Sequence, residues 1–414
     1  MYFSELSKCI DTYLVPQVLD KKSNAEVSTP FALRQDMLDK IPAEFWASPH
    51  TVFEPCAGKG GFIIDIIGRF MAGLAESIPD ERRRYKTIVE ECLYFSDINP
   101  TNIFICRLLI DPCGEYTVNC NEGNTLGLDV AAKWGLGGFD AVIGNPPYQD
   151  ATQSLNGTLW DKFVAYAITH LNNDGFMCYV HPSGWRDVSG KFKYVQQLLY
   201  SKNLVYLEIH NVADGIATFK ATTRYDWYVL QNTSAYSTTT IKFEDGVCMD
   251  VDVRQLAFIP NAQFAIVCGL LASDGAVKCT VIHHSASCEM RKPWMSPQKN
   301  DIYIYPCIYT INVKSEPRLA YSAKCDGAGM GISKLMWSNG SIKSVGSIID
   351  YAGEYGLTPY AYGIADDTAT LPNIKAAFDS SKFRRLMEHC AVGRTSVNYK
   401  VIALFRKDFW QEFV

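Results

Sequence analysis

The sequence has no C-x-x-C pair among its 14 cysteines, no apolar run near the roughly 18 residues of a membrane span, and no excess of positive charge. Each absence excludes something. Cysteines scattered from Cys9 to Cys390 through 414 residues do not make a disulfide framework, so reduced thiols in an intracellular, cytoplasmic setting are expected. Segment 1–20 is broken by Asp11 and Pro16 and has no basic flank before an apolar run, so no secretory signal and no membrane partner are expected. With 39 Lys plus Arg against 44 Asp plus Glu the formal charge is -5, which on composition alone argues against nucleic acid. What is present is 48% hydrophobic and 20% charged residues over a length that suits two domains, each with a core.

Apolar periodicity divides the chain. From about residue 50 to 230, short apolar runs over 51–54, 92–96, 139–143, 176–180 and 204–209 alternate with helical patterns over 61–74, 101–110 and 159–171. Such alternation predicts a doubly wound α/β domain with a mainly parallel sheet, which binds its ligand at the carboxyl ends of the strands. After the polar stretch 231–240 the rhythm is lost. Aromatic strands over 302–311 and 334–337, a late helix over 376–390, and glycines such as Gly327, Gly329, Gly331, Gly353, Gly356 and Gly363 predict a second, irregular α+β domain. The expected domains are 1–235 and 236–414.

Three strand ends carry chemistry. Phe53-Glu54-Pro55-Cys56-Ala57-Gly58-Lys59-Gly60-Gly61 is a strand, a glycine turn and a helix start, where unpaired backbone N–H groups can meet a ligand. It is neither a dinucleotide G-x-G-x-x-G nor a P-loop, and a tight turn without a ligand remains the plain alternative. Ser96-Asp97-Ile98-Asn99-Pro100 follows the next strand and offers a carboxylate to ribose hydroxyls, or else a helix N-cap. Asn145-Pro146-Pro147-Tyr148 follows the strand over 139–143. Two prolines remove two N–H donors, leaving an amide and carbonyl oxygens aimed at one spot beside an aromatic ring. That cluster suits a planar substrate bearing an NH2 group, held by Asn145 and the Pro146 carbonyl while Tyr148 stacks on the ring.

On these residues the chain resembles the S-adenosylmethionine-dependent amino-methyltransferases, and specifically the DNA adenine-N6 methyltransferases of restriction-modification type with gamma motif order. The resemblance covers about residues 24–230. It implies a Rossmann-like methyltransferase domain over 1–235 and a DNA-binding target-recognition domain over 236–414. It implies that Glu54, Ala57, Gly58 and Gly60 line the methionine of S-adenosylmethionine, that Asp97 holds its ribose and that Ile98 packs on its adenine. Asn124, or else Asp129, would meet the adenine amino group. Thr29 and Pro30, in Ser28-Thr29-Pro30, resemble the family's outlying cofactor motif, and Asn145 would border the cofactor as well. The stretches 160–171 and 175–182 and Ser183-Gly184-Trp185 resemble the fifth and sixth motifs. Phe219 matches an aromatic that packs, opposite Tyr148, on a flipped base; taken alone it reads as a core residue.

The implied reaction moves a methyl group to N6 of an adenine rotated out of duplex DNA, with unstacking costing a few kcal/mol and stacking returning about 1 to 3 kcal/mol. No metal is expected. His283, His284 and Cys288 lack a fourth partner and zinc spacing, and no G-x-S-x-G elbow occurs. No nuclease signature is read in the later half, so a cognate endonuclease would be a separate chain, with the methylase acting as a monomer on DNA. Cytosine N4, RNA guanine N2 and protein glutamine are the alternative acceptors. Charge resolved by half removes the compositional objection: residues 241–414 hold 19 Lys plus Arg and 17 Asp plus Glu, leaving 20 against 27 for residues 1–240. Modest DNA affinity with steep salt dependence is expected.

Overall fold

The computed structural model describes residues 2–14, 27–149, 157–188, 190–284, 286–325, 328–393 and 396–414. Gly327, one of the punctuating glycines, lies outside them. The chain divides into two units, Met1–Trp185 with Gly190–Leu256 and Arg186–Ser189 with Ala257–Val414.

The first unit is built on nine strands: β1 (Val52–Glu54), β2 (Leu93–Asp97), β3 (Asn119–Glu122), β4 (Phe139–Gly144), β5 (Leu171–Pro182), β6 (Asn203–His210), β7 (Tyr225–Gln231), β8 (Thr239–Lys242) and β9 (Cys248–Val251). Their order is β3-β2-β1-β4-β5-β7-β6-β8-β9. The strands from β3 to β5 are parallel, whereas β7 lies antiparallel between β5 and β6. Burial on both faces explains the near-continuous apolar runs of the central strands: every residue of β1 and β2 is buried.

Helices α1 (Tyr2–Tyr13), α2 (Phe31–Leu38) and α3 (Gly61–Gly73) pack together, with Ile63, Ile64, Ile66, Ile67 and Phe70 of α3 entering the core. Helix α4 (Pro100–Ile110) begins where Asn99 accepts a hydrogen bond from the Thr101 N–H and Pro100 needs no partner. Helix α5 (Trp160–Thr169) precedes β5, and α6 (Val212–Phe219) opens on a capping box between Asn211 and Asp214. Each expected strand and helix of this half is present within a few residues.

The expected boundary at 235/236 is not where the first unit ends. Strand β8 pairs parallel with β6, and β9 closes a hairpin on β8, so the sheet runs on for two strands. Ile241 and Phe243 are buried although the polar stretch before them reads as a linker.

The second unit is more regular than expected. One four-stranded sheet contains β10 (Thr280–Ile282), β14 (Lys334–Ser338), β15 (Ser347–Asp350) and β17 (Ala361–Ala365) in the order β10-β17-β14-β15. The other contains β11 (Met295–Ser296), β12 (Tyr305–Ile311), β13 (Pro317–Ser322) and β16 (Gly356–Leu357) in the order β11-β13-β12-β16. The single late helix is two, α7 (Leu371–Asp379) and α8 (Ser381–His389), divided at Ser380, whose hydroxyl accepts from the Phe383 N–H at 3.1 Å. A core around Trp337, Phe378 and Phe383 joins these helices to β14. The short segment Arg186–Ser189 belongs to this unit because Arg186 is fully buried and donates to the Ile259 carbonyl at 2.7 Å and to Asn261 Oδ1 at 3.0 Å.

Candidate active site

The carboxyl ends of β1, β2 and β4 open into one cavity of about 1280 Å³ including its mouth, lined wholly by the first unit. All three sequence signals meet there. Thr29, Glu54, Ala57, Gly58, Asp97 and Ile98 line it, as do Asn124 and the tetrapeptide Asn145, Pro146, Pro147 and Tyr148. Pro30, Gly60 and Phe219 are not on its wall.

The turn after β1 is a glycine cradle. Gly58 and Gly60 have φ of +52° and +85°, a left-handed conformation that side chains disfavour. A Cβ at Gly60 would also stand 3.2 Å from Cys106 Sγ, so Gly60 serves the turn and the packing on α4. The Asp97 carboxylate reads the turn: Oδ2 accepts from Gly58 N–H and Oδ1 from Asn99 N–H, both at 2.8 Å. The helix N-cap is Asn99, which leaves Asp97 with its remaining lone pairs towards the cavity. Burial raises its pKa against the pull of those two N–H groups. Ile98, at 61% exposed, presents a bare apolar side chain beside it.

Glu54 ends β1 fully buried, and its Oε2 has no hydrogen-bond partner among the described residues. Burial pushes its pKa well above the usual carboxylate range; Arg34 opposes this and Asp97 and Asp65 add to it. Arg34 is a residue that sequence reasoning missed. It is buried, its Nε donates to Asp65 Oδ2 at 2.6 Å, Nη1 to Asp11 Oδ1 at 2.8 Å and to the Thr29 carbonyl, and Nη2 to Ser7 Oγ at 2.6 Å. Asp11 Oδ2 also accepts from Phe31 N–H at 2.5 Å, so α1 is tied to the segment carrying Thr29. No local spacing signals this cluster, because its members come from three helices and the strand-like segment before α2.

The loop after β3 is fastened by Thr125, also unread in the sequence. Its buried hydroxyl donates to the Pro55 carbonyl and lies 2.8 Å from Ser96 Oγ, joining three strand ends. Asn124 lines the cavity, with Oδ1 accepting from Leu126 N–H at 3.1 Å. Asp129, the other candidate, caps a separate helix through Ala132 N–H and is not on the wall.

Asn145 follows β4. Its Nδ2 donates to the Val27 carbonyl at 3.3 Å, which fixes the amide, while Oδ1 is buried without a partner among the described residues. A buried acceptor left empty costs about 1–3 kcal/mol, so the site is built to receive a donor. Tyr148 is half-buried with its hydroxyl also unpartnered. Its ring meets Phe219 edge to face, with centroids 6.3 Å apart at 79°. The expected pair of parallel walls for a flipped base is therefore not formed. Phe219 is 6% exposed and packs edge-on against Tyr225 at 4.8 Å, as a core residue does. Among the described residues no cluster of three or more His, Cys, Asp or Glu could hold a metal, and no helix is long and apolar enough to cross a membrane.

Comparison with known proteins bears on the family and the fold. Residues 121–214, which contain the tetrapeptide, match the family model described as Eco57I restriction-modification methylase. An uncharacterized adenine-specific methylase of Mycoplasma pneumoniae is 27% identical over 188 residues, which are 39% of this chain and 43% of that protein. The match thus spans less than half the length of this curated relative. Among solved structures, a nuclease-deletion mutant of the type ISP restriction-modification enzyme LlaGI, with a DNA substrate mimic, has a TM-score of 0.56 at 11% identity, covering 95% of this chain and 47% of that one. DrdV in complex with DNA has a TM-score of 0.53 at 12% identity, covering 96% and 58%. At such identities the likeness shows the fold. The doubly wound sheet of that fold is thus present, and over residues 121–214 the chain is similar to the restriction-modification methylase family, as the resemblance read from the three strand-end motifs implied.

Proposed function

We propose that the chain is a DNA adenine-N6 methyltransferase that moves a methyl group from S-adenosylmethionine to an adenine rotated out of duplex DNA, as the methylase of a restriction-modification pair. The observation that carries this reading is Asn145 Oδ1, a buried acceptor with no partner, held in place by the Val27 carbonyl at the mouth of β4. An exocyclic NH2 group supplies the donor it lacks. The match to a restriction-modification methylase model over these residues and the adenine specificity of the Mycoplasma relative support the choice of base.

The cavity fits the cofactor. Glu54 Oε2 is an orphaned acceptor for the methionine ammonium, with Thr29, Ala57 and Gly58 around it. Asp97 serves the ribose, Ile98 the apolar face of the adenine and Asn124 its edge. When bound, S-adenosylmethionine would supply a sulfonium methyl group as the electrophile and leave as S-adenosylhomocysteine, the methylated amino group giving up one proton to solvent. The chain's own residues do the rest by alignment. Asn145 Oδ1 and the Pro146 carbonyl accept the two hydrogens of the target amino group, which localises a lone pair otherwise conjugated with the ring. Pro147 contributes no competing N–H, and Tyr148 offers its ring face to the base. Preorganised acceptors need no rearrangement during transfer, so the catalysis is positional and electrostatic. The second unit would read the target sequence.

The test is transfer of labelled methyl from S-adenosylmethionine into duplex DNA, followed by digestion. N6-methyladenine is the expected product. N4-methylcytosine would move the reading to its nearest alternative, and label found only in RNA or protein would overturn it.

A further inference from the structure

Among the cations of the second unit, two kinds of setting stand out. Arg291, Lys334, Lys375, Arg406 and Lys407 are each paired with a carboxylate. Lys292, Arg318 and Lys324, all on or beside the β11-β13-β12-β16 sheet, have no carboxylate partner among the described residues. They are held by aromatic rings instead. Lys324 Nζ stands 4.2 Å from the centre of the Trp294 ring, and Lys292 Nζ stands 5.8 Å from the same ring. The Arg318 guanidinium stands 5.2 Å from the Tyr309 ring, which in turn meets Tyr360 at 5.3 Å. Arg318, Lys324 and Tyr360 are exposed.

A cation resting on a ring keeps its full charge for an external anion, and its long side chain has already lost part of its rotamer freedom. Trp294 is itself anchored: its indole N–H donates to the Ser287 carbonyl at 2.9 Å, and Ala323 N–H donates to the Trp294 carbonyl at 2.9 Å. Residues 286–325 hold six Lys plus Arg against three Asp plus Glu, a local excess of +3 in a chain of net -5. Arg318 and Lys324 lie near the two ends of β13, six residues apart and so separated by at most roughly 20 Å of extended chain. At about 3.4 Å of helix axis per phosphate of one strand, that span is less than one helical turn of a duplex.

We propose that Arg318 with Tyr309 and Tyr360, and Lys324 and Lys292 about Trp294, form a docking surface for the phosphate backbone of duplex DNA. This rests on DNA being the substrate, as proposed above. The surface positions the duplex and carries no base specificity of its own. The ring-held cations are its phosphate ligands, and the half-buried Trp294 and Tyr309 keep them extended.

The test uses the full chain, with fluorescent duplex DNA of mixed sequence as the probe, and measures affinity as a function of salt. Replacing both cations (Arg318→Gln with Lys324→Gln) should make the slope of log K against log salt shallower by about 1.8, at about 0.9 for each phosphate no longer neutralised. Arg318→Lys should restore about half of that change, because it returns the charge. Denaturant unfolding of the same samples should overlay the wild-type curve, which certifies the fold of the unit that carries the substitutions. A wild-type slope in the double variant overturns the inference and points to an acidic protein as the partner of this surface. A wild-type chain that binds S-adenosylmethionine yet never methylates duplex DNA overturns the proposed function itself.

Discussion

Asn145 and Arg34 show how differently two buried polar groups serve the same cavity. Asn145 keeps an acceptor unpaired in the free protein, whereas Arg34 has every nitrogen engaged. Asn145→Ala removes the acceptor aimed at the substrate but leaves Glu54, Asp97 and the glycine cradle in place. It should lower the transfer rate by a factor of at least about a hundred while S-adenosylmethionine affinity, read by calorimetry, changes little. Retained turnover would show that the amide does not hold the amino group. Arg34→Met acts on stability. It strands the buried Asp65 carboxylate, at 2% exposure, together with Asp11 and the Thr29 carbonyl, and should cost about 3–5 kcal/mol in denaturant unfolding. Adding Asp65→Leu should recover most of that loss, since removing both charges is far cheaper than removing one. The tetrapeptide and the glycine turn were legible in the sequence because each is contiguous. Arg34, Asp11 and Thr125 were not, because their roles exist only once segments from distant parts of the chain meet.

At the scale of elements, β5 carries a buried histidine whose protonation opposes folding. His181 stacks on Trp160 with centroids 4.4 Å apart, Nδ1–H donates to the Pro182 carbonyl at 3.0 Å, and Nε2 accepts from the Tyr228 hydroxyl at 3.0 Å. Burial pushes its pKa down to about 4 from 6.5. Between those values the unfolded chain binds a proton that the folded chain does not, so stability rises with pH across this window. The contribution is fully present above about pH 6.5 and is lost as pH falls towards 4, amounting to about 3 kcal/mol. Denaturant titrations at several pH values should show this slope in the wild type and a flatter one in His181→Gln; parallel curves would remove His181 as the cause. The same scale explains what periodicity could read. Strands β1, β2 and β4 are short apolar runs between turn signals and were expected, as was α3 with its isoleucine face. Strand β3, Asn119-Cys120-Asn121-Glu122, sits at the sheet edge with no fully buried residue, so it lacks an apolar signature. Strands β8 and β9 are only four residues each, and β8 begins inside a polar stretch.

Where the first unit ends is a question for the whole molecule, and it has an energetic answer. The sequence places the break at 235/236 because the polar stretch resembles a linker, but the sheet continues through β8 and β9. Ending the chain after residue 235 would strip β8 from β6. Tyr206, Leu207 and Glu208 of β6 would lose their pairing with Thr240, Ile241 and Lys242, and the buried Ile241, Phe243 and Val251 would be gone from the unit. Losing the burial of each such side chain costs about 1.5–3 kcal/mol, and the bared edge of β6 becomes a template for aggregation. Ending it after Leu256 instead keeps all nine strands and every residue of the cavity wall. Arg186–Ser189 would be left without the unit to which they belong. The expectation is a soluble 1–256 chain that binds S-adenosylmethionine with the affinity of the full protein but does not methylate DNA, because the proposed DNA-reading unit is gone. The 1–235 chain should aggregate and bind no cofactor. Equal solubility and equal cofactor affinity in the two shortened chains would show that β8 and β9 add nothing to the first unit, and the boundary read from the sequence would stand.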